Sequence, residues 1–146
     1  MGQKLGMEGK LYFNAGDYAT PDWKELKNAK DVTLNLEKGE ADVTTRGNAG
    51  WRATVGTLKE GSIEFEMVWD TEDEGFAALQ NAWFGDTPIE MAVMDGPIAT
   101  SGSQGLRATM SVISFSRKEP LEEAMSVSVS VKPTYAEHAP EWMKVT

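Results

Sequence analysis

Ser62-Ile63-Glu64-Phe65-Glu66-Met67-Val68-Trp69 alternates from end to end. Ile63, Phe65, Met67 and Trp69 fall on one side, and Ser62, Glu64, Glu66 and Val68 on the other. A period of two gives each set its own face of a strand, so the segment reads as a strand with one buried face and one mainly polar face. The pattern recurs in Asp31 to Glu37, where Val32, Leu34 and Leu36 oppose Thr33, Asn35 and Glu37. It recurs again near the C-terminus, where Val127, Val129 and Val131 alternate with Ser126, Ser128 and Ser130. Strands of this kind are half-buried and pair antiparallel over a shared core. Between Leu106 and Phe115 the phase slips: Leu106, Ala108, Met110 and Val112 share one register, Ile113 and Phe115 the other. One residue out of step predicts a β-bulge or a sharp bend. Lys10–Asn14, Ala41–Thr45, Trp51–Val55 and Pro88–Met94 are weaker strand candidates, and Asp95-Gly96 marks a turn.

One helix interrupts the strands. Thr71-Glu72-Asp73-Glu74 has capping-box spacing, with Thr71 as the cap and acids at the positive end of the helix dipole. Phe76, Leu79 and Trp83 follow as an apolar stripe, and Gly85 is a natural stop. The expected architecture is mostly β: an antiparallel β-sandwich or barrel with one flanking α-helix, in a single domain spanning 1–146. Trp51, Trp69 and Trp83 are assigned to core positions. Residues 37–50 read as a long polar connection with Gly39, Gly47 and Gly50, and such connections commonly contact partners. Its candidate contact residues are Lys38, Glu40, Asp42, Thr44, Arg46 and Asn48. The tail over 133–146 has Pro133 and Pro140 but also Tyr135, Trp142 and Met143, which suggests docking on this chain or a neighbour.

Composition narrows the function. The 146 residues carry 23 acidic and 14 basic side chains, a formal net charge of -9, and no cysteine. Thiolate chemistry, disulfides and sulfur-ligated metal are thereby excluded. A nucleic-acid-gripping protein neutralises phosphate with clustered Lys and Arg, and that footprint is missing. His138 is the only histidine and sits in a Pro-flanked tail, so it lacks the enclosed site a catalytic base needs. Asp70 to Gly75 imitates the start of a calcium loop, but Asn81 stands where a bidentate Glu belongs. Gly102-Ser103-Gln104-Gly105 has neither P-loop nor nucleophile-elbow spacing and reads as a flexible loop. Glu64 and Glu66 share a face, and a solvated face explains them better than an acid–base pair. The reading expects no enzyme, no cofactor and no metal. The opening segment Met1 to Met7 lacks the apolar run of a signal peptide, Gly6 breaks the myristoylation pattern, and no stretch is long enough to span a membrane. Synthesis and solubility in the cytoplasm are the expectation.

The order of these features resembles a known family. Trp23 to Leu34 leads into Val43-Thr44-Thr45-Arg46-Gly47-Asn48-Ala49-Gly50-Trp51. Ile63 to Asp70, the helix and Ala92-Val93-Met94-Asp95-Gly96 follow. Ser114-Phe115-Ser116-Arg117-Lys118-Glu119-Pro120-Leu121 then precedes the Ser/Val strand and Lys132-Pro133-Thr134. This succession is similar to the phage tail tube (major tail) proteins of long, non-contractile-tailed phages and related prophages, over nearly the whole chain. The resemblance implies a helix-flanked β-sandwich whose six copies close their inner sheets into a ring. The rings would stack into a hollow, DNA-conducting tube in the virion, with tape measure, tail terminator and tail tip proteins as further partners. It also implies that residues 37–50 bridge to a neighbouring subunit or ring. Six copies at -9 carry -54 per ring, and an acidic lumen lets DNA slide without sticking. The candidate lumen face is Thr33, Asn35, Glu64, Glu66, Ser128 and Ser130. Two alternatives remain open: the tube of a related injection machine or gene transfer particle, and a monomeric ligand-binding β-sandwich, such as a carbohydrate-binding module with aligned exposed aromatics.

Overall fold

A computed structural model describes residues 3 and 5–146 of the protein. Met1, Gly2 and Lys4, and with them part of the reading of the opening segment, lie outside the described residues. The strands are β1 (Lys10–Asn14), β2 (Trp23–Glu25), β3 (Ala29–Asp42), β4 (Thr54–Val68), β5 (Ile89–Met94), β6 (Gln104–Lys118), β7 (Ser126–Pro133) and β8 (Glu141–Lys144). One helix, α1 (Glu74–Phe84), connects β4 to β5. All eight strands form one antiparallel sheet in the order β2-β1-β5-β6-β7-β4-β3, with β8 added to β6.

β6 turns that sheet into a sandwich. Its first half pairs with β5 and β8, and its second half pairs with β7. Val112 stands opposite Val131 and Ser114 opposite Ser130, so Ile113 drops out of the ladder and is 55% exposed. This is the phase slip of the sequence, and a bulge of this kind bends its strand. Both halves consequently face one core. Leu11, Phe13, Met91 and Met110 from the first half join Ile63, Phe65, Met67, Val127, Val129 and Val131 from the second. Each side chain of this size stabilises by about 1.5–3 kcal/mol when fully buried. The outer side of the first half presents Tyr12, Ala92 and Met94, which Ile98, Met143 and Val145 cover. Ser103, expected in a flexible loop, is instead buried where β6 begins.

The helix differs from expectation at its cap and its stripe. Asp73, not Thr71, is the cap: its carboxylate accepts from the Phe76 N–H at 2.9 Å. The acidic run offers several competing acceptors, and an ionised carboxylate makes the stronger bond to a backbone N–H. Phe76 and Leu79 are buried, but Trp83 is 40% exposed, and Ala82 takes the inward position. Leu26 packs so closely on Gly75 that a Cβ there would overlap its side chain. In denaturant melts Asp73→Ala should therefore cost about 1 kcal/mol and Thr71→Ala much less. Leu79→Ala should cost about 2–5 kcal/mol, well above Trp83→Ala. Equal losses at Leu79 and Trp83 would contradict this packing.

Two further corrections concern β3 and the tryptophans. Of Val32, Leu34 and Leu36, only Leu34 is even partly buried, and Leu36 is 55% exposed. Val32 falls in the bulge between Lys30 and Thr33, and Leu36, opposite Gly61, lies beyond the part of β4 whose residues join the core. Trp51 is 78% exposed, while Trp69 is partly buried with its ring edge-on to Phe76 at 4.7 Å. The stretch 37–50 begins as strand, since β3 runs to Asp42, and the connection proper is 43–53. Ala41–Thr45 and Trp51–Val55 are thus strand only in part.

Candidate assembly surfaces

The register brings the six candidate lumen residues onto one sheet face. Thr33 lies opposite Glu64, and Asn35 opposite Ser62; Glu64 lies opposite Ser130, and Glu66 opposite Ser128. β6 extends the row, with Ser114 opposite Ser130 and Ser116 opposite Ser128. The Asn35 amide donates to the Ser62 hydroxyl at 3.4 Å, and the Lys118 ammonium lies 3.8 Å from Glu66. Ser62, Ser114 and Ser116 went unassigned in the sequence; the new phase after Ile113 was the available signal for the last two. Hydroxyls and carboxylates in this array bind water, and the carboxylates repel phosphate. They present no apolar ground for a base or a ring to stack on.

The four-strand half β6-β7-β4-β3 ends on two free edges. Among the described residues β3 has no neighbour on its outer side, and β6 beyond Met110 has lost β5. Unpaired N–H and C=O groups along such edges are templates for pairing with another chain.

The β3–β4 hairpin projects beyond the sandwich. Of the candidate contact residues, Lys38, Glu40 and Asp42 lie on its β3 arm, and Thr44, Arg46 and Asn48 in its turn. The Asp42 carboxylate accepts from both the N–H and the hydroxyl of Thr44, and these bonds hold its carboxyl below the usual range. Thr44 Oγ1 in turn accepts the Ala53 N–H at 2.9 Å. Ala49 and Gly50 close the turn in the left-handed region, at φ 52° and 84°. Glu37 stands directly opposite Glu60, and Lys38 opposite Lys59. Like charges so placed destabilise a lone hairpin. Exposed Val43, Val55 and Leu58 add apolar surface.

The tail returns to its own chain. β8 pairs Trp142 with Leu106 and Met143 with Gly105, although Tyr135 is 98% and Trp142 56% exposed. Arg107 anchors this corner, donating to Glu90 at 3.0 Å and to the Tyr18 carbonyl at 2.8 Å. The Tyr18 hydroxyl donates to Glu141 at 3.0 Å, and His138 stacks on the Tyr18 ring at 3.6 Å. Burial, then the Glu141 bond, raises the Tyr18 phenol above its ordinary value. Among the described residues no cluster of three acids or histidines is placed to hold a metal, and no helix is long and apolar enough to cross a membrane.

Free sheet edges, an uncovered polar face and a projecting hairpin define a class: β-sandwich subunits that join to copies of themselves. The profile of the phage tail tube protein family matches residues 10–134, and the chain belongs to that family. It is a structural component of a virion tail, not an enzyme. Its fold is that of a chain in the tail of an empty gene transfer agent particle refined with C6 symmetry. That likeness has a TM-score of 0.74 at 14% identity, over 99% of this chain and 100% of that one. The SPP1 tail tube gives a TM-score of 0.70 at 16% identity, over 89% of this chain and 75% of that one. A chain of the anti-feeding prophage baseplate gives 0.57 at 8% identity, over 94% and 92%. No curated protein matches.

Proposed function

We propose that the protein closes into six-membered rings that stack into a hollow tube, and that DNA passes through the tube during genome ejection without specific binding. The observation that carries this reading is the pair of free edges on the polar half-sheet. β3 of one copy can pair with the exposed half of β6 in the next, a head-to-tail contact that repeats until it closes. Six copies of four strands each give a channel wall of twenty-four, with Thr33, Asn35, Glu64, Glu66, Ser128 and Ser130 on its inner face. The opposite assignment is disfavoured because the outer face of the other half-sheet is covered by the C-terminal segment. The C6 symmetry of the gene transfer agent tail supports a ring of six. Lys38, Glu40, Asp42, Thr44, Arg46 and Asn48, on the hairpin, contact the neighbouring subunit. Chain 1–146 acts as one tube-forming domain, made in the host cytoplasm and met in the virion by tape measure, tail terminator and tail tip proteins. A gene transfer particle tube is the second reading, favoured by that same structural likeness. A monomeric ligand-binding module fits worse: exposed Trp51 sits in the hairpin turn, Trp83 on the helix and Trp142 on β8, so they do not share one strand face.

Sedimentation of the purified protein over a wide concentration range tests the reading. Rings or longer polymers that grow with concentration are expected. A species that stays monomeric throughout would overturn it.

A further inference from the structure

Two apolar features stand at the same end of the polar half-sheet, one at each of its free edges. The register places them there. Ala29 of β3 lies opposite Met67, Met67 opposite Val127, and Val127 opposite Arg117 of β6. The start of β3 and the end of β6 are therefore level with each other across the four strands.

The first feature is Leu121, in the turn over residues 119–125 that joins β6 to β7. It is fully exposed at 101%, so no part of the described subunit covers it. Pro120 fixes the backbone angle directly before it. A side chain carried on a stiffened turn loses less freedom when it docks.

The second feature is a groove of about 500 Å³ beside the start of β3. Met7 of the N-terminal arm, Val32 of β3, and Val93 and Met94 at the end of β5 line it. Val32 belongs to the bulge between Lys30 and Thr33 and is 39% exposed. The charges at the groove nearly cancel, since Lys10 lies 3.7 Å from Glu25 and Lys30 is followed by Asp31. Such a groove takes an apolar side chain rather than an ion.

We infer that Leu121 of one copy seats in the groove beside β3 of the next copy in the same ring. This rests on the tube reading and assigns a side-chain lock to its lateral contact. β3 and β6 run in opposite directions within the half-sheet, so pairing these two edges between copies is again antiparallel. It brings the end of one β6, with the turn beyond it, to the start of the next β3. The groove follows β3 from Ala29 to Val32, and the stagger that strand tilt imposes on a closed barrel moves the turn along it. Each copy carries one peg and one groove on opposite edges, which is the arrangement of a head-to-tail contact that repeats around a ring.

The chain has no cysteine, so a thiol-specific cross-link reports only on introduced residues. Leu121→Cys combined with Val32→Cys, assembled and treated with a short bismaleimide, should give a ladder on a denaturing gel that ends at six chains. Either substitution alone should give no ladder. Leu121→Asp should raise the concentration needed for assembly by about tenfold or more, and Leu121→Met should not. Thermal melts of the unassembled Leu121→Asp protein should match wild type, because the side chain is fully exposed there. A ladder running past six would place the contact between rings. Rings without a ladder would give the groove to another occupant, such as the chain's own N-terminal residues. Either result, or wild-type assembly of Leu121→Asp, would overturn this contact while the tube reading stood. If wild type formed no ring or tube at all, the tube reading would fall and the contact with it.

Discussion

Replacing residues 38–59 with a two-residue Asn-Gly turn is expected to leave a folded protein that cannot build tubes. Glu37 and Glu60 lie directly opposite each other, the geometry that a two-residue type I′ turn closes. None of the residues removed is buried, so the core loses nothing. The Lys38–Lys59 repulsion disappears with them. Ring closure keeps its materials, because β3 up to Glu37 and the free half of β6 remain. Single rings or monomers are therefore the largest species expected by electron microscopy. An unfolded variant would show that the hairpin is a folding element, and long tubes would show that it does not join rings.

Glu64→Lys combined with Glu66→Lys should give tubes that assemble yet hold DNA. Each substitution adds two positive charges, so the pair moves the subunit from -9 to -5 and six copies by twenty-four charges. Both positions sit mid-strand on the polar face, away from the free edges and the hairpin. Phosphate attraction of this kind releases counterions and weakens steeply with salt. Particles carrying the variant should eject their genome slowly or incompletely, most severely at low ionic strength. Normal ejection would place these carboxylates on the outside of the tube, leaving the tube itself untouched.

Much of this was legible in the sequence because alternation reports a strand directly. Ile63, Phe65 and Met67, and the three valines of β7, are buried as their period demands, and the slip at Ile113 is the bulge that folds the sheet. The same alternation puts Glu64, Ser128 and Ser130 on one face, and the register brings them side by side. What alternation cannot report is whether a second layer waits for the apolar face. Leu36 reads like Leu34, yet it lies opposite Gly61, outside the core cluster that Leu34 packs against. The distal hairpin hid its strands for a related reason: its pairs are like-charged and its apolar residues exposed, so no buried face sets an alternation there. On the helix, neighbouring candidates decided the errors. Asp73 lay two residues from Thr71, and Ala82 one residue from Trp83; local packing and hydrogen bonding chose between them.

Negative-stain microscopy of the purified, concentrated protein tests the central claim most directly. Hollow tubes with sixfold-symmetric end views are the predicted result. A field of isolated particles the size of one chain, under conditions where the protein is folded and concentrated, would contradict it.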